Sequence, residues 1–168
     1  AITDMNGVWS LSNADVPRSA RTSFFGPYVD VNRASGGSDP ELSGTAVPGE
    51  ALAFAWTDAN SRQDERDIYG AVIDIHDFFE LFDPGYSYTN SRMTANVGVA
   101  GSCNAFYNGN SINFYDAGAG CGTSGCANTG EIQGIVHHEY GHGVQEDLVG
   151  FQGNQGCGEG NADILANF

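Results

Sequence analysis

Apolar residues follow a helical period in one long segment of the chain. Between residues 62 and 82 they recur every three or four positions, at Ile68, Val72, Ile75, Phe79 and Phe82. This spacing gathers them into one stripe and predicts a helix with a single buried face. The Asp-Pro-Gly run at residues 83–85 is a stop signal that ends this helix.

Two further segments, both nearer the C-terminus, are also helical in pattern. Residues 131–147 follow Gly130 and predict a second helix, whose mixed face carries Ile132, Ile135, Val136, Tyr140 and Val144. Residues 160–168 predict the first turns of a third helix with an apolar side. That pattern stops without a Gly or Pro signal, so we expect the chain to be cut within a larger fold. The alternative is a short terminal helix.

Shorter segments carry the signals of strands and turns. Residues rich in β-prone side chains lie at 7–11, 24–31, 51–56, 95–100 and 112–115, with turn-rich stretches between them. The Asn108-Gly109-Asn110 sequence lies between the runs 95–100 and 112–115 and is typical of turns that join hairpins. The pattern therefore predicts strands on both sides of the first helix.

The composition narrows the classes of partner. Acidic residues number 21 and basic residues 6, which gives a formal net charge of −15. A chain this acidic is not attracted to phosphate backbones or anionic lipids, so we expect neither nucleic acid nor a membrane surface as a partner. No apolar run approaches the roughly 20 residues of a membrane helix. The 24 glycines predict a loop-rich chain.

The chain contains four cysteines, Cys103, Cys121, Cys126 and Cys157. An even number in a Gly-rich chain without lysine favours two disulfides and an oxidising compartment. Four cysteines allow three pairings, and the sequence does not choose among them. A cysteine zinc site is the alternative, but it is disfavoured because the chain has no Cys-x-x-Cys pair.

The second predicted helix carries a His-Glu-x-x-His motif. His138 and His142 lie four residues apart, so they occupy one face of the helix about one turn from each other. Two imidazoles placed in this way can each direct a nitrogen at one metal ion. Glu139 is turned aside from the ligands, where it can reach a metal-bound water and act as a general base.

A metal site of this kind needs a third protein ligand, and the downstream segment offers one. Glu159 can enter from a helix packed against the motif helix. Asp163 follows four residues later on the same face, where it can accept a hydrogen bond from the outer nitrogen of a ligating histidine. The alternative is that both acids are simply solvated on a helix surface.

These features together resemble the gluzincin metallopeptidases of thermolysin and fungalysin type. The resemblance is carried by the motif at residues 138–142, by Glu159-x-x-x-Asp163, by residues 104–109 with the following 112–116, and by the helix over 64–82. It implies an α+β, zincin-like fold with a twisted mixed sheet, a backing helix and an active-site helix. Residues 1–168 would then be a single zincin-like domain or subdomain, truncated at its C-terminus, with the family's C-terminal helical half largely absent.

The resemblance also implies roles for individual residues. Zinc would be held by His138, His142 and Glu159. Glu139 would be the general base and then the proton shuttle. Asp163 would orient a ligating histidine by accepting a hydrogen bond from its outer ring nitrogen. The side chain of Asn104 and the backbone of Ala105 would hydrogen-bond the main chain of a protein or peptide substrate, which adds as an extended strand.

Two functions follow as expectations from these roles. The first is a zinc-dependent endopeptidase, secreted to the extracellular space and mature after removal of signal and pro-segments. The alternative is a catalytically incomplete zinc-binding fragment or peptide-binding module, which needs the missing C-terminal half as a separate chain. Calcium is a further expectation, because oxygen ligands lie in turn-rich settings at Asp58, Asp64, Asp67 and Asp116; the alternative is that these acids are solvated.

Overall fold

The computed structural model describes residues 8–10, 15–118, 125–150 and 156–167. Six strands and three α-helices follow one another in this part of the chain. They are β1 (Arg18–Ser23), β2 (Val29–Arg33), β3 (Glu41–Ala46), α1 (Gln63–Phe82), β4 (Met93–Val99), β5 (Ala105–Tyr107), β6 (Ser111–Tyr115), α2 (Gln133–Val149) and α3 (Gly156–Ala166). A short 3₁₀ turn, Thr129–Glu131, precedes α2.

The chain divides into two compact units. The smaller unit comprises Ala1–Thr22 and Glu41–Ala55, and the larger unit comprises Ser23–Pro40 and Trp56–Phe168. In the smaller unit β1 and β3 form a two-stranded sheet. All the helices, the four-stranded sheet and the predicted site residues belong to the larger unit.

The strand predicted over residues 51–56 is absent, so this prediction was wrong. The side chains there alternate between half-buried and exposed, as the pattern suggested, but the segment forms no strand. Leu52 and Phe54 instead face Gly44 of β3, whose missing side chain leaves room for them. The period of 2 therefore arises from packing over a neighbouring strand and not from pairing with one.

The sheet of the larger unit is mixed. Its strand order is β2-β4-β6-β5, with β2, β4 and β6 parallel and β5 antiparallel at the edge. Successive side chains of a strand point to opposite faces, and in β4 every second residue from Met93 to Val97 is buried. The α+β fold with a mixed sheet is thus confirmed.

The turn predicted at residues 108–110 is present, but the strand before it in the hairpin is β5 and not the predicted run 95–100, which lies in β4 and pairs in parallel with β6. Gly109 has a φ of +94°, a conformation that glycine adopts without steric cost. The side-chain oxygen of Asn108 accepts hydrogen bonds from the backbone N–H groups of Asn110 and Ser111, at 3.0 and 2.9 Å. This turn sets the register in which the edge strand β5 pairs with β6.

Helix α1 backs the sheet as its apolar stripe predicts. Ile68, Val72 and Ile75 are fully buried, and the helix packs against β2 and β4. The stripe ends before the helix does, because Phe82 is 70% exposed. The N-terminus is held by Glu65, which accepts a hydrogen bond from the backbone N–H of Arg62 at 2.7 Å.

Helix α2 packs against β5, β6 and α1, and α3 packs against α2. Val136, Tyr140 and Val144 form the buried apolar face of α2, in agreement with its sequence pattern. Helix α3 begins at Gly156, four residues before the predicted start of the third helix. Among the described residues, no helix is both long and apolar enough to cross a membrane.

Candidate metal centre

Helix α2 places the two motif histidines side by side. The Nε2 atoms of His138 and His142 lie 3.1 Å apart, and their rings are nearly perpendicular, at 87°. Burial and the neighbouring His138 lower the pKa of His142 below its ordinary value. A neutral imidazole is the form that binds a metal, so this environment suits a ligand.

Helix α3 brings Glu159 to the same point. Its Oε2 atom lies 3.3 Å from Nε2 of His138 and 3.7 Å from Nε2 of His142. The two helices approach closely at Gly141, where a Cβ atom would come within 3.0 Å of the Cα atom of Ala162. The glycine of the motif therefore allows the third helix to present its carboxylate.

The three ligand atoms have the spacing that a tetrahedral metal requires. Zn²⁺ bound at about 2.0–2.1 Å has ligand atoms about 3.3 Å apart along each edge of the tetrahedron. The three distances among His138, His142 and Glu159 bracket this value. In the part of the chain that the structure describes, these residues form the one group of His, Cys, Asp or Glu side chains close enough to hold a metal ion.

Asp163 lies behind the first histidine. Its Oδ1 atom is 3.0 Å from Nδ1 of His138, on the side of the ring opposite to Glu159. A proton on Nδ1 that is donated to this carboxylate leaves the Nε2 lone pair for a metal. The backbone carbonyl of Asp163 also accepts a hydrogen bond from the side chain of Asn167, at 2.7 Å.

Glu139 is buried beside the ligands, with only 6% of its surface exposed. Burial raises the pKa of its carboxyl to about 7, and the nearby Glu159 adds to the rise. His138 and a backbone hydrogen bond from Tyr107 oppose it. A carboxyl with this pKa can both accept and release a proton near neutrality.

The predicted substrate-binding residues lie at the edge strand. Asn104 is exposed and immediately precedes β5, and Ala105 is the first residue of that strand. Because β5 pairs with β6 alone in the four-stranded sheet, its other edge is open to an added strand. Tyr107, the last residue of β5, connects this edge to Glu139 through its backbone hydrogen bond.

One cysteine pairing is resolved. Cys103 and Cys126 form a disulfide with a Cα–Cα distance of 5.3 Å, which links the start of the β5 hairpin to the segment before α2. Cys157 is exposed at the start of α3 and forms no disulfide with a described cysteine. Cys121 lies outside the described residues. No cysteine belongs to the described group that could hold a metal.

The acids proposed for calcium do not converge. Asp64 and Asp116 both pair with Arg62, Asp58 pairs with Arg66, and Asp67 accepts a hydrogen bond from Gln63. Each carboxylate thus already has a partner within the chain, and Asp64 and Asp116 share theirs. The described residues offer no grouped set of oxygen ligands that supports calcium binding.

No family model matches the chain, and no curated protein does. Among solved structures, the chain is similar to the precursor of protealysin, a metalloproteinase from Serratia proteamaculans. The TM-score is 0.56 at 20% sequence identity, and the match covers 96% of this chain. The chain has a metalloproteinase fold. It spans 45% of the length of that precursor, and at this identity the likeness is one of fold alone.

The sequence does not reveal how Glu139 and the edge strand are joined. Tyr107 falls within the segment that carries the family resemblance, but the pattern of residue types does not show which group its backbone N–H contacts. The sequence also does not predict the close approach of α2 and α3 at Gly141, since the motif allows any residue at that position. Both features depend on how α2 meets its neighbours, which periodicity does not describe.

Proposed function

We propose that the chain is a zinc-dependent endopeptidase of the gluzincin type, acting on protein or peptide substrates. The observation that carries this proposal is the convergence of His138, His142 and Glu159 next to a buried Glu139. A purely structural zinc site has no use for a buried base beside the metal. The resolved disulfide supports an oxidising, extracellular location.

The site residues have two roles in this proposal, which are to hold a metal ion and to move a proton. His138, His142 and Glu159 would hold zinc, which when bound acidifies a water molecule and polarises a carbonyl group. Glu139 would act as the base that accepts a proton from the attacking water and then gives it to the leaving amine. Asp163 keeps the His138 ring in the tautomer and orientation of a ligand.

The edge strand supplies the substrate site in this proposal. An extended peptide adds alongside β5, with its main chain bonded by Asn104 and Ala105. Tyr107 ends the same strand and also donates its backbone N–H to Glu139. A peptide paired with β5 is therefore held within reach of Glu139. Because the reacting groups are already in position, the entropic cost of bringing them together is lower.

A second candidate function is peptide binding without cleavage. It is favoured by the open edge of β5, which can pair with a peptide whether or not a bond is cut. In this alternative the zinc and the edge strand bind a peptide, and turnover needs a further chain. The two functions make the same predictions for zinc affinity and differ in whether peptide bonds are hydrolysed.

The deciding experiment compares the zinc-loaded wild type with Glu139→Gln on an unfolded protein substrate, with and without a chelator. We expect hydrolysis by the wild type that the chelator abolishes. Glu139→Gln should keep its zinc and lose at least 100-fold in kcat, because general acid–base catalysis typically contributes factors of 10² to 10⁴. Glu80→Gln, which changes a partly exposed acid on α1 in the same way, should leave hydrolysis unchanged.

Equal hydrolysis by the wild type and Glu139→Gln would reject the assigned base. Zinc binding with no hydrolysis by the wild type would favour the peptide-binding module. In that case the activity should appear only after a second chain is added.

A further inference from the structure

A cavity of about 190 Å³ lies beside the end of β5. One side is formed by the hairpin, and the other by the segment that leads into β4. The lining residues are Tyr107, Gly109 and Asn110 on the first side and Tyr88, Ser91, Arg92 and Met93 on the second. The volume is that of one large amino-acid side chain, and none of the proposed roles above uses this cavity.

The cavity adjoins the proposed active site through Tyr107. This residue is part of the lining, and its backbone N–H donates to the carboxylate of Glu139. On the opposite wall, the ring of Tyr88 packs edge-on against Tyr140 of α2, with centroids 5.8 Å apart. A peptide that pairs with β5 would therefore lie next to both the cavity and Glu139.

Arg92 is the one charged residue among those that line this cavity. Its Nε atom donates to the carbonyl oxygen of Gly26 at 2.6 Å, and its guanidinium lies 3.8 Å from the centre of the Phe25 ring. These contacts fix the group but do not neutralise it. Among the described residues, Arg92 forms no ion pair with a carboxylate, which is notable in a chain of net charge −15.

The other arginines of the larger unit are all neutralised. Their ion pairs are Arg33 with Glu65, Arg62 with Asp64 and Asp116, and Arg66 with Asp58. Arg92 also keeps terminal N–H groups without a described partner, because the structure gives its guanidinium one hydrogen bond. An exposed cation with spare donors is suited to a carboxylate that arrives from outside the chain.

We propose that this cavity is a specificity pocket that receives an acidic side chain, Glu or Asp, of the bound peptide, with Arg92 as the residue that recognises its carboxylate. The inference rests on the proposed peptide-binding site along β5. The polar groups of Ser91 and Asn110 and the two tyrosine rings complete a pocket that suits a short polar side chain. A lysine or arginine side chain would be repelled by Arg92.

The test measures peptide binding by zinc-loaded Glu139→Gln, so that cleavage does not interfere. A blocked, otherwise uncharged decapeptide carries a single Glu that is moved from one position to the next, and each peptide is compared with its Gln counterpart. We expect one position at which Glu binds about fivefold tighter than Gln, the size of an exposed ion pair. The preference should weaken as salt is raised.

Two variants then assign the preference to this pocket. Adding Arg92→Gln should bring the Glu-to-Gln affinity ratio at that position to about one. Adding Asn110→Asp should do the same while leaving the contacts of Arg92 with Gly26 and Phe25 in place, since a carboxylate on the opposite wall competes for the guanidinium. Arg66→Gln changes the net charge equally but does not line the pocket, so it should preserve the ratio.

The outcomes separate this inference from the proposed function. A selective position that vanishes in both variants supports the pocket, even if the wild type cleaves nothing. Binding of peptides without any Glu preference, or a preference that Arg92→Gln and Asn110→Asp leave intact, overturns it, even if the wild type is an active peptidase. Failure of every peptide to bind the zinc-loaded protein would contradict both proposals.

Discussion

His138 has different partners at its two ring nitrogens. Its Nε2 atom faces His142 and Glu159, and its Nδ1 atom faces Asp163 at 3.0 Å. The contacts of Nε2 would belong to the proposed metal site. The contact of Nδ1 with Asp163 decides which ring nitrogen carries the proton. If zinc binds as proposed, its affinity should therefore depend on Asp163, which would not touch the metal.

The variant Asp163→Ala tests this dependence. Without the Asp163 carboxylate as acceptor for Nδ1, neither the tautomer nor the orientation of the His138 ring is fixed. Zinc affinity should therefore fall roughly 10- to 100-fold. Competition with a chromophoric chelator measures the change. Asp74→Ala removes an exposed carboxylate that accepts a hydrogen bond from Gln133 and should leave the affinity unchanged. Equal affinities for the wild type and Asp163→Ala would show that the contact orients nothing.

Asp64 is a buried carboxylate at the first turn of α1. Burial raises its pKa, but the hydrogen bonds from Arg62 and Asn128 lower it by more, so that the net pKa lies below the ordinary value of 3.8. A group whose pKa is depressed on folding stabilises the protein above its unfolded pKa. That contribution is lost as the pH falls through the lower folded value.

We therefore expect the free energy of unfolding to fall more steeply below pH 4 in the wild type than in Asp64→Asn. At pH 7 the variant should be the less stable of the two. Urea unfolding of the metal-free protein at a series of pH values measures both effects. Zinc is omitted because acid would protonate its ligands and add a second pH dependence. Parallel pH profiles for the two proteins would mean that Asp64 is not responsible for acid sensitivity.

At the scale of elements, the site depends on the distance between α2 and α3. Gly141 faces Ala162 where the helices meet, and a Cβ atom at this position would also come within 3.1 Å of a methyl carbon of Leu165. Backbone atoms do not move aside as flexible side chains do. A larger residue at position 141 should push α3, and with it Glu159, away from the histidines.

Gly141→Ala should therefore weaken zinc binding by about tenfold, since misplaced ligands lose metal affinity. Gly160→Ala is the matched control, because this α3 position has no atom within 4 Å of the added Cβ. That control should bind zinc normally and raise the melting temperature slightly, as alanine is the better helix former. Equal zinc affinities for the two variants would show that the helix spacing does not limit the site.

The sequence predicted elements where one property repeats along the chain. The stripe from Ile68 to Phe79 predicted α1 and the residue types at 108–110 predicted a turn, because these signals are local. The turn joins β6 to β5 and not to the run 95–100, which lies in the parallel strand β4. Residues 51–56 have the alternation of a strand, but no partner strand pairs with them. Pairing is a property of two segments, so a single pattern does not determine it.

The candidate site was predictable to the same extent. A one-turn spacing on a helix brought His138 and His142 together in the sequence argument, and the structure has them 3.1 Å apart. The Cys103–Cys126 pairing required the fold, since three pairings satisfied the sequence equally. The contact of Tyr107 with Glu139 needed the position of α2 against the edge strand, which no spacing within either element contains.

At the scale of the whole molecule, the metal should link parts of the larger unit that differ in stability. Helix α1 and the sheet share one buried core that includes Val72, Val97 and Phe114. Helix α3 has 11 residues and packs mainly against α2. Isolated helices shorter than about 12–15 residues are marginal in water, so α3 relies on that packing and, in the proposed zinc site, would also be held by the bond from Glu159 to the metal.

Removal of zinc should therefore loosen α3 before it affects the core. In hydrogen exchange, we expect the amides of α3 to exchange at least tenfold faster in the metal-free protein, while those of α1 and β4 change little below the global unfolding limit. Glu159→Ala should give the fast exchange of α3 even with zinc present, because the bond from α3 is lost while both histidines remain. A uniform change across α1, β4 and α3 would mean instead that the metal stabilises the unit as one cooperative body. Unchanged exchange in α3 would place its stability in the packing around Ala162 alone, and the metal would then bind a helix that is already fixed.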